Sequence, residues 1–273
     1  MRHDEKSACG VGFVAATDGR PRRALLDQGL SALEAVEHRG GNLADRATGD
    51  GAGIMTEIPF DLLGATPGEI AVGTWFRYGD RTERGRIREV FESTLEAASL
   101  EVADYRTVPT DTSALGRQAR EALPHIEHIL IRRPTFCRTE ASFGRMLYLA
   151  QQRFRTRLVR AGLADRAFFP SLSSRTIVYK ALTSAHALGA FYPDLGDARY
   201  ATRFALFHRR FSTNTSTSWH RAQPFRVIAH NGEINTIASN RAWSYAREQA
   251  LGLPPNELLT HDGISDSGSL NEM

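Results

Sequence analysis

Cysteine is nearly absent from this chain: of 273 residues, only Cys9 and Cys137 carry a thiol. Two isolated cysteines provide neither a metal-ligand spacing nor a disulfide framework. Long apolar runs are missing too, since no stretch reaches the ~18–20 residues that span a bilayer. The opening MRHDEKSA is too short and too charged for a secretory signal. Together these features predict a cytoplasmic chain with reduced thiols, without a membrane segment. Lysine is scarce as well, limited to Lys6 and Lys180; the surplus of arginine reads first as the codon bias of a GC-rich genome. The 34 basic and 31 acidic residues leave a net charge of +3 with no basic block, which argues against a nucleic-acid partner. No repeat, low-complexity tract or linker breaks the chain, and Pro254-Pro255 is its strongest local interruption. One domain is expected.

Strand and helix patterns alternate along the chain. Strands are expected over Cys9–Ala15, Ile54–Ile58, Ala71–Tyr78, Glu101–Val108, Ile126–Arg132, Ser173–Lys180, Arg203–Arg209 and Phe225–His230. Leu26, Leu30, Leu33 and Val36 recur at helical spacing, and Gly40-Gly41 can stop that helix. Further helices are expected over Thr82–Ala98, Ala114–Leu123, Ala141–Ala161 and Ile234–Ala250. The pattern predicts an α/β or α+β protein with several sheet strands.

Three motifs carry chemistry: Cys9-Gly10-Val11-Gly12, the stretch HRRFSTNTSTSWHRAQPFRVIAHNGEINTIASN from His208 to Asn240, and Ser265-Asp266-Ser267. Alone, Cys9 reads equally well as a small buried hydrophobe, Asn231-Gly232 as a turn, and each charged residue as a solvated surface group. In combination and in this order, the motifs resemble the class II glutamine amidotransferases. The similarity is closest to the glutaminase domain of the glutamate synthase large chain, which Glu37–Gly53 (EHRGGNLADRATGDGAG), Pro170–Lys180 (PSLSSRTIVYK) and Gly189–Asp194 (GAFYPD) also resemble. The similarity runs from about Lys6 to Ser269. It departs at Ser216-Thr217, where Phe-Pro is usual, at Ser239, where glycine is usual, and at Asn271, where aspartate is usual.

The resemblance implies an α+β, four-layer α/β/β/α amino-terminal-nucleophile (Ntn) hydrolase sandwich, truncated at its carboxyl end. It implies Cys9 as the nucleophile, with its own α-amino group as the base. That amine has a pKa of about 7.7–8.0, close enough to neutrality to act, whereas a lysine near 10.4 is not. Because Cys9 follows an eight-residue leader, residues 1–8 are expected to be removed, leaving a domain over 9–273. Asn231 and Gly232 would supply oxyanion donors. Arg210 would hold the α-carboxylate of L-glutamine by its planar fork and Asp266 the α-ammonium, with Gly232 adding a backbone contact. Arg39 would help hold the cysteine strand.

Ammonia would pass to a synthase domain or subunit acting on 2-oxoglutarate. This chain would carry no metal or cofactor itself. FMN and an iron–sulfur cluster are expected in the synthase region of a longer parent chain, fed by ferredoxin or a reductase subunit. Two other classes fit the same residues: a different Ntn amidohydrolase or amidotransferase subunit, and a non-catalytic fragment or regulatory partner.

Overall fold

The computed structural model describes residues 10–209, 217–228, 230, 234, 236–253 and 266–272. Its first half runs β1 (Val11–Ala15), α1 (Arg23–Ala35), β2 (Ala52–Glu57), α2 (Phe60–Leu63), β3 (Ile70–Arg77), α3 (Arg81–Ala97), β4 (Glu101–Thr107) and α4 (Arg117–Glu121). β5 (His125–Arg132), α5 (Glu140–Arg160), β6 (Ala167–Ser173), β7 (Thr176–Ala181), α6 (Ala185–Phe191), β8 (Phe204–Arg209), α7 (Ala238–Ala250) and α8 (Asp266–Glu272) follow. Two four-stranded sheets result, ordered β1-β8-β2-β7 and β4-β5-β3-β6, and every strand pair is antiparallel. The class is α+β.

Alternation along β3 explains how the second sheet is buried on both faces. Ala71 and Trp75 point into a core with Phe91 and Leu95 of α3 and Phe143, Leu147, Phe154 and Leu158 of α5. Trp75 is its centre, with ring centroids 5.1 Å from Phe91 and 5.5 Å from Phe169. Ile70, Val72 and Phe76 point the other way, into a core shared with α1, β2, β7, α6 and β8. The covering helices start where the sequence supplies caps. Asp80 accepts the Glu83 N–H at 2.9 Å, and Thr139 and Ser142 form a reciprocal capping box.

Four expected elements differ. Ser173–Lys180 is not one strand: β6 ends at Ser173, whose hydroxyl accepts the N–H groups of Arg175 and Thr176 at 3.0 and 3.2 Å, and β7 returns. Pro170 fits β6 because that strand lies at a sheet edge. Ala114–Leu123 is a 3-10 turn over Thr112–Ala114 followed by the short α4, with Gly116 between them. Phe225–His230 is no strand in its described residues. The Val227 N–H there goes to Asn271 Oδ1 at 2.8 Å instead of to a sheet ladder. The last long helix starts at Ala238, four residues later than expected.

Candidate active site

Four of the expected site positions, Cys9, Arg210, Asn231 and Gly232, lie outside the described residues; Arg39 and Asp266 lie within them. The described residues next to each motif position are joined to one another. β1 pairs with β8 in the register Val11 to His208. The Arg209 N–H donates to the Gly10 carbonyl at 2.6 Å, so the residue after Cys9 meets the residue before Arg210. Only glycine fits there, because a Cβ at position 10 would sit 2.3 Å from the Arg209 carbonyl oxygen. It would also lie 3.5 Å from the Arg39 Cβ, which puts Arg39 beside the start of β1.

Two histidines and a serine continue the chain of bonds. His208 Nε2 donates to the His230 carbonyl at 3.3 Å, just ahead of Asn231-Gly232 in the sequence. His230 Nε2 and Ser267 Oγ lie 2.8 Å apart, and the Ser267 N–H donates to Asp266 Oδ1 at 2.6 Å. The cysteine motif, the arginine motif, the Asn-Gly motif and the Ser-Asp-Ser motif thus have neighbours in one hydrogen-bonded series.

Beneath this series lies an arginine that sequence reasoning did not single out. Arg209 has a side chain only 1% exposed. Its Nε and Nη2 donate to the two carboxylate oxygens of Glu37, each at 2.8 Å. Nη1 pairs with Asp50 and donates to the Gly51 carbonyl at 2.9 Å, and Nη2 also reaches the Gly41 carbonyl at 3.4 Å. Burial opposes the charged form of Arg209, but Glu37 and Asp50 outweigh it and raise its pKa. Burial likewise works against ionised Glu37, yet the Arg209 guanidinium and the Ala185 N–H hold its carboxyl below its ordinary value.

The segment before the Asn-Gly motif is anchored by Lys180, also missed from sequence. Its ammonium donates to the carbonyls of His220 and Ala222 at 2.8 and 2.7 Å and lies over the rings of Phe168 and Phe225. Burial lowers its pKa to about 7. Trp219, buried nearby, donates its indole N–H to the Ala119 carbonyl at 3.2 Å. Asn271, which stands where the similar family has aspartate, still accepts through its side-chain oxygen. Among the described residues no cluster of three or more His, Cys, Asp or Glu could hold a metal ion, and no helix is long and apolar enough to cross a membrane.

Comparison with known proteins places the sequence in a family. The family described as glutamine amidotransferases class-II matches residues 9–271. Ferredoxin-dependent glutamate synthase 2 of Synechocystis sp. is 41% identical over 91% of this chain. Ferredoxin-dependent glutamate synthase 2, chloroplastic, of Arabidopsis thaliana is 39% identical over 98% of the chain. The glutamate synthase [NADPH] large chain of Azospirillum brasilense is 38% identical over 98%. The chain spans only 16%, 17% and 19% of these relatives' own lengths, respectively.

Proposed function

The chain belongs to the class II glutamine amidotransferases, and on that footing we propose that it releases ammonia from L-glutamine through a γ-glutamyl thioester on Cys9. The observation that carries this reading is the hydrogen-bonded series from Gly10 through Arg209, His208, His230 and Ser267 to Asp266. It supports the convergence of the three motifs on one site.

The chemistry follows from the residue types. Removal of residues 1–8 frees the Cys9 α-amino group, which takes the thiol proton. The thiolate attacks the side-chain carbonyl of glutamine, and the oxyanion formed is held by the Asn231 side-chain N–H and the Gly232 backbone N–H. Loss of one such donor costs roughly 3–4 kcal/mol of barrier. The α-ammonium returns its proton to the departing nitrogen, ammonia leaves, and water then hydrolyses the thioester to glutamate. Arg210 and Asp266 grip the two ends of the amino acid, and Arg39 steadies the strand that follows Cys9. The two sheets with their covering helices support a four-layer Ntn sandwich. Ammonia would be consumed in the cytoplasm by a synthase region acting on 2-oxoglutarate, which would hold FMN and an iron–sulfur cluster and be served by ferredoxin or a reductase subunit.

The test is glutamate release by processed chain, unprocessed chain and Cys9→Ala, each identified by intact mass. Only processed chain with Cys9 should turn over. Arg210→Lys and Asp266→Asn should each raise KM strongly, the first because lysine keeps the charge but loses the bidentate fork. Activity near wild type in Cys9→Ala would refute the nucleophile, and equal activity from chain that keeps residues 1–8 would refute the α-amino base.

A further inference from the structure

Arg209 uses every donor it has. Its five side-chain N–H groups have acceptors in two separate stretches of chain, the turn at 37–41 and the glycine-rich turn at 50–51, and its backbone N–H reaches a third, Gly10 just ahead of β1. One edge of the guanidinium is filled by Glu37 and the other by Asp50 and Gly51, an arrangement that a three-donor ammonium cannot reproduce. The packing leaves no slack on that group, since a Cβ at Gly40 would fall 2.0 Å from the Arg209 Cζ.

We propose that Arg209, with Glu37 and Asp50, is the positioning centre of the glutaminase site. By covalent adjacency it carries Arg210, and by these bonds it joins that position to the residue that follows Cys9 and to the turn that carries Arg39. A shift of this cluster therefore moves the nucleophile and the carboxylate clamp together, so turnover and substrate affinity suffer at once. This inference rests on the reading of the chain as a glutamine-hydrolysing enzyme.

The experiment measures ammonia release from glutamine by the full processed chain and by Arg209→Lys and Glu37→Gln, at a temperature well below the Tm of each. Glu37→Gln keeps the shape and removes one charge, so it reports even where the arginine change impairs folding. Arg77→Lys, at a buried arginine of the other sheet, is the control. Both cluster variants should lose at least tenfold in kcat and gain at least threefold in KM, while the control stays within twofold on both. A fall in Tm alone, with kcat and KM of the cluster variants within twofold of wild type, would overturn the proposal. Should the unsubstituted chain fail to hydrolyse glutamine, the functional reading falls. Positioning is then decided by hydrogen exchange at Val11–Ala15: tenfold faster exchange in Arg209→Lys sustains it, and unchanged exchange overturns it.

Discussion

Each sheet of this molecule buries one arginine at the end of a strand, and the two are put to different use. Arg77 ends β3 with its side chain 4% exposed, pairing with Glu127 on the neighbouring β5. It lies over the Trp75 ring and donates to the Arg84 carbonyl of α3 at 2.7 Å. Its contacts join elements already packed together. Its Nε has no hydrogen-bond partner, and burial lowers its pKa. Arg209 ends β8 equally buried, but it has two carboxylates, no spare donor and a raised pKa. Its partners come from stretches more than 150 residues away in the chain. The first arginine trims the edge of a core whose stability comes from stacked aromatics; the second ties together segments that no hydrophobic core would hold in register. Full satisfaction of a buried charge marks the position where geometry matters more than burial.

The largest effect that could break this contrast is loss of either guanidinium. Arg209→Met keeps the apolar stem but strips the cation from both Glu37 and Asp50. Breaking a buried pair from one side costs about 3–5 kcal/mol, and here two acids lose the same partner. Arg77→Met leaves Glu127 still paired with Arg88 at 3.1 Å and His125 at 3.2 Å, so its cost should be smaller. Denaturant unfolding of both variants measures the difference. Equal losses, or a larger one for Arg77→Met, would show that the number of carboxylates served does not set the energetic weight of these arginines.

Arg209 was within reach of sequence reasoning, and the reason it was missed is instructive. The pair Arg209-Arg210 drew attention to the second member through its resemblance to a substrate clamp. Yet Ala205 and Phe207 are buried, and strand alternation gives Arg209 the same parity. An arginine on the buried parity must be paired, which would have directed the search to Glu37 and Asp50 in the neighbouring motifs. Elements with strong periodicity were legible: β3, α3 and α5 lie within a residue or two of their expected bounds. Phe225–His230 was not, because Phe225, Val227 and Ile228 carry a strand-like pattern while Val227 is 62% exposed and bonded to α8. Apolar residues in a loop look the same in sequence as those that fill a sheet. The motif residues Cys9, Asn231 and Asp266 were recognisable as a set of strings, not from periodicity.

Acid exposes the other side of the comparison. Burial alone would raise the Glu127 pKa, but His125, Arg77 and Arg88 overcome it and bring it down to about 2. A carboxylate whose folded pKa lies below its unfolded value stabilises the fold above the unfolded pKa and loses that contribution as pH falls through the folded one. For Glu127 the window runs from about 4.5 down to about 2. Glu37 shifts in the same direction, so both arginine centres weaken in acid. Tm followed from pH 6 to pH 2.5 should fall less steeply in Glu127→Gln than in wild type. An unchanged slope would mean that Glu127 contributes no pH-dependent stability.

The smallest effect separates the two cysteines. Cys137 is buried in the aromatic core of the second sheet, where its thiol lies 3.1 Å from Ser142 Oγ and 3.7 Å from the Thr139 carbonyl. Serine at that position would remove a polarisable sulfur, a cost on the order of 1 kcal/mol or less given that the Thr139 carbonyl can accept from its hydroxyl and Ser142 Oγ can accept from or donate to it. Both hydrogen-bond partners of that thiol, Ser142 and Thr139, stand outside the series from Gly10 to Asp266, so the substitution should leave kcat and KM for glutamine within twofold and lower Tm by only a few degrees. Cys9→Ala, which removes little volume, should do the reverse, abolishing turnover with Tm nearly unchanged. Measured side by side, the two variants would assign reactivity to one thiol and packing to the other. Loss of turnover in Cys137→Ser would mean that the second core communicates with the site, and the division of labour between the two sheets would have to be redrawn.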